Sequence, residues 1–166
     1  MTLLEIGGTN TNVGPYNNPV GAVFDATSVS TTPTVSDVEV NIYASSPNWK
    51  CGLYKCDGSG TPTDLIEQVT INPGATGWQS IPFADAALDN VYCFVCLKPD
   101  SSAGRPYANT GLGSPSSREK AHSNYAQDYV DDEFTNTFAN TVNFRATFTG
   151  PVATAGTLLP PPVAWI

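Results

Sequence analysis

Apolar and polar residues alternate at every second position through much of this chain, and that period constrains its fold more than any other feature. In residues 35–43 (VSDVEVNIY), Val38, Val40 and Ile42 share one side and Asp37, Glu39 and Asn41 the other. Side chains of a strand point alternately to its two faces, whereas a helix needs spacings of three and four. Such a run is therefore a strand with one buried face. Residues 49–56 (WKCGLYKC) place Trp49, Cys51 and Leu53 together, and residues 65–71 (LIEQVTI) place Leu65, Val69 and Ile71 together. Residues 77–83 carry Ile81 and Phe83 on one face, with Pro82 marking an edge or bulge because it cannot donate to a ladder. In residues 142–149, Val142, Phe144, Ala146 and Phe148 face inward. Residues 91–97 (VYCFVCL) are apolar on both sides and read as a central, covered strand. Residues 2–6 and 20–25 are further strands.

The breaks between these runs are strong turn signals, among them Asp57-Gly58-Ser59-Gly60-Thr61-Pro62 and Asn72-Pro73-Gly74. Strands at this spacing predict an all-β, antiparallel β-sandwich with extended N- and C-terminal arms. The chain of 166 residues is one domain over residues 1–150, followed by a Pro-rich arm over 151–166 that ends PPPVAWI. One or two helical turns are expected around residues 118–122. Residues 98–141 hold the longest stretch without a clear strand. Their aromatic residues, Tyr107, Tyr125, Tyr129, Phe134 and Phe138, predict an ordered, packed loop.

Four cysteines, Cys51, Cys56, Cys93 and Cys96, fall on two of the predicted strands. Cys51 and Cys56 point to opposite faces, as do Cys93 and Cys96, so four thiolates could surround one zinc ion only if both strands broke locally. If the two strands pair antiparallel, Cys51 opposite Cys96 brings Cys56 within two positions of Cys93, an offset one bulge would absorb. The expectation is two nested disulfides, Cys51–Cys96 and Cys56–Cys93, each adding about 2–4 kcal/mol and implying an oxidising location. The plainer alternative is buried thiols acting as small apolar residues.

Part of the chain resembles a known kind of module. Gly52-Leu53-Tyr54, Gly60 and Pro62 with Leu65, Gly77-Trp78, Phe83 and Val91-Tyr92 together resemble a block of extracellular jelly-roll modules. Such modules accompany secreted polysaccharide-degrading enzymes, adhesins, and phage and archaeal surface proteins. The resemblance covers residues 51–97 and implies a jelly-roll sandwich with a non-catalytic role. It carries over no binding residue, and the paired cysteines are not part of its pattern.

Charge and composition narrow the partners. The net charge is −8, from 7 Lys and Arg against 15 Asp and Glu, so polyanions such as nucleic acid are repelled. No apolar run approaches the length of a membrane-spanning helix, and membrane insertion is not expected. Residues 1–8 are too short and too poor in basic residues for a signal peptide. Release by lysis, as for a virion protein, would need none. The one histidine, His122, sits in a charged segment with nothing around it to suggest a catalytic triad, and no enzyme activity is expected.

Two functional expectations follow. The first is a non-enzymatic structural subunit of an extracellular assembly, on a virion surface or tail or in a filament. Terminal arms would join it to copies of itself or to other structural subunits by strand addition. Leu3, Leu4 and Ile6 at one end, and Leu158, Leu159, Val163, Trp165 and Ile166 at the other, are the apolar residues of those arms. The alternative is a carbohydrate-binding or adhesion module that stacks cell-surface glycans on Tyr107, Tyr125 and Tyr129, with Trp49 and Trp78 kept for the core. No cofactor is required. Calcium is the one open reading, at the acidic cluster Asp128, Asp131, Asp132 and Glu133, against the simpler reading of a solvated acidic loop. Either function places the protein outside the cell or on a virion.

Overall fold

The computed structural model describes residues 1–7, 18–45, 47–101, 103–110, 117–119, 125, 127–131, 134, 136, 137 and 140–151. Among them are fourteen strands and no helix: β1 (Thr2–Ile6), β2 (Val20–Asp25), β3 (Thr34–Ala44), β4 (Trp49–Cys56), β5 (Pro62–Ile71), β6 (Gly77–Ser80), β7 (Ala86–Ala87), β8 (Tyr92–Pro99), β9 (Arg105–Pro106), β10 (Ala108–Thr110), β11 (Ser117–Glu119), β12 (Asn136–Thr137), β13 (Asn140–Val142) and β14 (Phe144–Thr149). Every pairing is antiparallel. The first sheet runs β1-β14-β3-β6, with β7 and β9 also beside β3. The second runs β12-β11-β2-β8-β4-β5, and β10 and β13 form a separate ribbon. The two large sheets pack face to face as a β-sandwich. Taking the strands of four residues or more in chain order, the chain changes sheet at every step except β4 to β5.

The alternation read from the sequence fills the space between the sheets. Val38, Val40 and Ile42 of β3 and Phe144, Ala146 and Phe148 of β14 line it from the first sheet. Ala22 and Phe24, Trp49, Cys51 and Leu53, and Cys93, Val95 and Leu97 line it from the second. Phe24 and Phe148 meet across the gap with ring centroids 5.5 Å apart. Each of the valine, leucine, isoleucine and phenylalanine side chains contributes about 1.5–3 kcal/mol through the apolar area it removes from water. Strand β8 lies between β2 and β4 and is covered on both faces, as its unbroken apolar run predicts.

Three local expectations give way to irregular register. In β3, a bulge places Asp37 at φ 47°, with two β3 residues between Ser36 and Glu39 but one β14 residue between their partners. In β5, the pairing with β4 shifts around Tyr54, so Leu65 packs on the outer side of the second sheet while Val69 and Ile71 stay inside. Ser117–Glu119 pairs with β2 as strand β11 in place of a helical turn.

Candidate functional site

The cysteines are not bridged. Strands β4 and β8 pair so that Cys51 faces Leu97, Gly52 faces Cys96 and Lys55 faces Cys93. Each expected disulfide partner is one residue out of register, and one residue in a strand is a change of face. Cys51 and Cys93 sit in the inter-sheet core, while Cys56 and Cys96 belong to a second cluster on the outside of the same sheet. Bonding Cys51 to Cys96, or Cys56 to Cys93, would require sulfurs on opposite sides of the sheet to meet. All four are buried and none forms a disulfide, and burial pushes the Cys51 and Cys93 thiols well above the ordinary range. They act as small apolar residues and give no sign of an oxidising location.

The second cluster shows what the long 98–141 segment does. Gly21 of β2, Cys96 of β8 and Gly52 of β4 lie side by side across the second sheet. This row of small residues leaves a trough on the outer face. A Cβ at Gly52 would come within 2.8 Å of the Tyr129 ring and 2.9 Å of the Cys96 sulfur. Tyr129 and Phe134 pack beside Tyr54 and Phe94, with Phe134 at 4.7 Å from Phe94 and 5.4 Å from Tyr54. Tyr129 is therefore not a ligand platform. It is 5% exposed, and its hydroxyl donates to the Lys50 carbonyl at 3.1 Å. Burial raises its phenol far above the usual value.

Polar clamps hold this cover in place. The Lys50 ammonium donates to the Gln127 carbonyl at 2.8 Å and to Asp128 Oδ1 at 3.1 Å, and lies 5.4 Å from the centre of the Tyr125 ring. Gln68 donates to Asp128 and accepts from the Tyr129 amide. Hydrogen bonds from Gln68 and Lys50 hold the Asp128 carboxyl below its ordinary range. Asp131 Oδ1 accepts the Leu65 amide at 2.7 Å. Two of the four residues read as a calcium cluster are thus engaged with protein groups, and Asp132 and Glu133 lie outside the described residues. Among the described residues, no three His, Cys, Asp or Glu side chains gather as metal ligands. His122 also lies outside them.

The outer face of the first sheet carries the aromatic surface that sequence reasoning missed. Glu5, Arg145, Glu39 and Ser80 form a row across β1, β14, β3 and β6. Arg145 donates from Nε and Nη2 to both oxygens of Glu39, which raises its pKa, and its guanidinium lies 4.4 Å from the centre of the Trp78 ring. Trp78, expected in the core, is half-buried on this face opposite Asn41. Tyr43, on the same face of β3, is 39% exposed and meets Tyr107 edge-on at 5.2 Å. Of the three tyrosines singled out in the sequence, Tyr107 lies here, Tyr125 lies over Lys50, and Tyr129 is enclosed.

No family model, curated protein or solved structure matches this chain. Within the 51–97 block, the turn between β4 and β5 has a local explanation. Gly60, at φ +80°, closes a turn in which Asp57 Oδ1 accepts the Ser59 and Thr61 amides, and Pro62 opens β5.

The sheet edges differ in how they are protected. On the far side of β3 the edge is broken into the short pieces β6, β7 and β9. At one end of the second sheet, β12 has two residues. At the other, β5 is long but opens on Pro62, carries Asp64 and Glu67, and has its Leu65 amide capped by Asp131. Short strands, proline, charge and covering loops are the usual guards of an edge. Among the described residues, strand β1 has none of them except Glu5. Its five residues pair with β14 alone, and no described residue pairs with its outer side. Leu4 and Ile6 pack partly against the core, while Leu3 is 57% exposed. The N-terminal strand expected as a free arm is thus the edge of its own chain's sheet. The other expected arm residues, Leu158, Leu159, Val163, Trp165 and Ile166, lie outside the described residues.

Proposed function

We propose that this protein is a non-enzymatic structural subunit, of a virion surface, tail or filament, whose copies join at the edge formed by β1. The observation that carries this reading is the contrast among the sheet edges: among the described strands, β1 is the edge with the fewest guards, Glu5 only, and it offers a row of backbone donors and acceptors beside an exposed leucine. The described carboxylates support a structural role. Glu39 binds Arg145, Glu67 accepts the Ala84 amide, Asp128 and Asp131 pin the cover, and Asp89 pairs with Lys55. Buried thiols without disulfides suit a subunit made in a reducing compartment and released by lysis. The order of the eight longer strands, with all but one connection crossing between sheets, supports a jelly-roll topology.

Light scattering on the wild type and on Leu3→Lys tests the proposal. A lysine at this exposed position guards the edge without entering the core. Wild type that assembles and Leu3→Lys that is monomeric and equally folded would support it. A wild type that is monomeric under all conditions would overturn it.

A second reading, carbohydrate binding, is favoured by one observation: Trp78, Tyr43 and Tyr107 lie with Arg145 on an open sheet face, and aromatic faces suit the apolar faces of sugar rings. Its test is glycan-array binding that is lost in Trp78→Ala and Tyr43→Ala.

A further inference from the structure

We infer that the strand added to β1 is the C-terminal segment, residues 152–166, of a second copy. This rests on the proposed assembly and names the segment that makes it.

The edge fixes what would fit. An added strand needs free amides, few charges, and apolar side chains at alternate positions to cover the flanks of Leu4 and Ile6. Residues 152–166 (VATAGTLLPPPVAWI) carry no charged side chain. Residues 152–159 and 163–166 keep their amides, while Pro160, Pro161 and Pro162 have none and separate the two pairing-competent stretches. Val163 and Trp165 fall on one side of a strand and Ala164 and Ile166 on the other.

The place where the chain leaves the domain argues for a neighbour's edge over its own. Strand β14 lies between β1 and β3. Beyond Thr149 the chain leans toward β3: Ser30 Oγ donates to the Pro151 carbonyl at 3.1 Å, and a Cβ on Gly150 would strike the Ser30 side chain. To reach its own β1, the segment would have to reverse directly after Pro151 and cross the end of β14. Extended, fifteen residues reach roughly 50 Å, about three times the length of a five-residue edge. The segment therefore has the reach to leave its own domain. Because Thr2 lies opposite Phe148, the segment departs from the same corner at which β1 begins. The donor and the acceptor edge thus sit together on one subunit. Such a head-to-tail contact, repeated, gives a ring or a filament.

The test uses full-length chains with a photocrosslinking residue at position 3, half of them labelled with 15N, mixed under dissociating conditions and returned to assembly conditions. The expected product links position 3 of one isotope to a peptide from residues 152–166 of the other. A chain ending at residue 151 should keep its thermal transition and sediment as a monomer. Crosslinks only within one isotope would overturn the inference in favour of a segment folded on its own chain. Crosslinks from position 3 to residues 2–6 of another copy, or undiminished assembly of the truncated chain, would also overturn it while leaving the structural role standing. A monomeric full-length protein would remove both.

Discussion

Gly52→Ala should destabilise the protein, and the reason can be isolated. Gly52 is in the middle of β4, and its φ lies outside the left-handed range, so the backbone accepts alanine. By itself, losing a glycine would stabilise the fold by about 0.4–1 kcal/mol through the unfolded chain. The new methyl, however, would lie 2.8 Å from the Tyr129 ring and 2.9 Å from the Cys96 sulfur. The ring cannot simply swing away, because its hydroxyl is bonded to the Lys50 carbonyl and its amide to Gln68. Overpacking of this kind costs about 1–3 kcal/mol, so the net loss should be roughly 1–2 kcal/mol. In a chain of this length that lowers the melting temperature by roughly 2–8 °C. Gly58→Ala is the control, since nothing lies within 4 Å of a Cβ there, and it should be neutral or slightly stabilising. Urea unfolding of Gly52→Ala, Tyr129→Ala and the double variant completes the cycle. With the ring removed, only the Cys96 contact remains, and the Gly52→Ala penalty should fall by more than half. Equal penalties in both backgrounds, within about 0.5 kcal/mol, would refute the account of the trough.

Two further results follow from the same geometry. All four thiols should resist a disulfide reagent in the folded protein and all four should react after denaturation without reductant; fewer than four would reveal a bridge. The Asp128 carboxyl titrates below its ordinary value in the folded chain, so its contribution is complete above about pH 4 and is lost as the pH falls through its folded value. Wild type should therefore lose more stability than Asp128→Asn between pH 7 and pH 3 in urea unfolding, and equal losses would show that the Lys50–Asp128–Gln68 clamp does not hold the cover.

Much of the sandwich is legible in the sequence because period two directly encodes which side chains are buried. Val38, Val40 and Ile42, or Phe144, Ala146 and Phe148, could hardly face another way. What was not legible depends on pairing between distant strands. The Cys51–Cys96 and Cys56–Cys93 expectation had the right strands in the right orientation, and failed on a single residue of register. Tyr129 reads as a loop tyrosine until Gly52 and Cys96, far apart in the chain, are seen side by side beneath it. Trp78 reads as a core residue because sandwiches commonly place aromatics of such strands in the core. Strand β6 stops at Ser80, however, and Trp78 lies opposite Asn41 on the outer face. Leu65 changed sides through the irregular pairing of β4 with β5. The value of β1 as an edge was the least visible of all, since it emerges only by comparison with the other edges of the two sheets.

Sedimentation velocity of the full-length protein across a wide range of concentrations tests the central claim most directly. An unguarded β1 edge that accepts another copy predicts species larger than the 17.5 kDa monomer, growing with concentration. A single 17.5 kDa species at every concentration would contradict it.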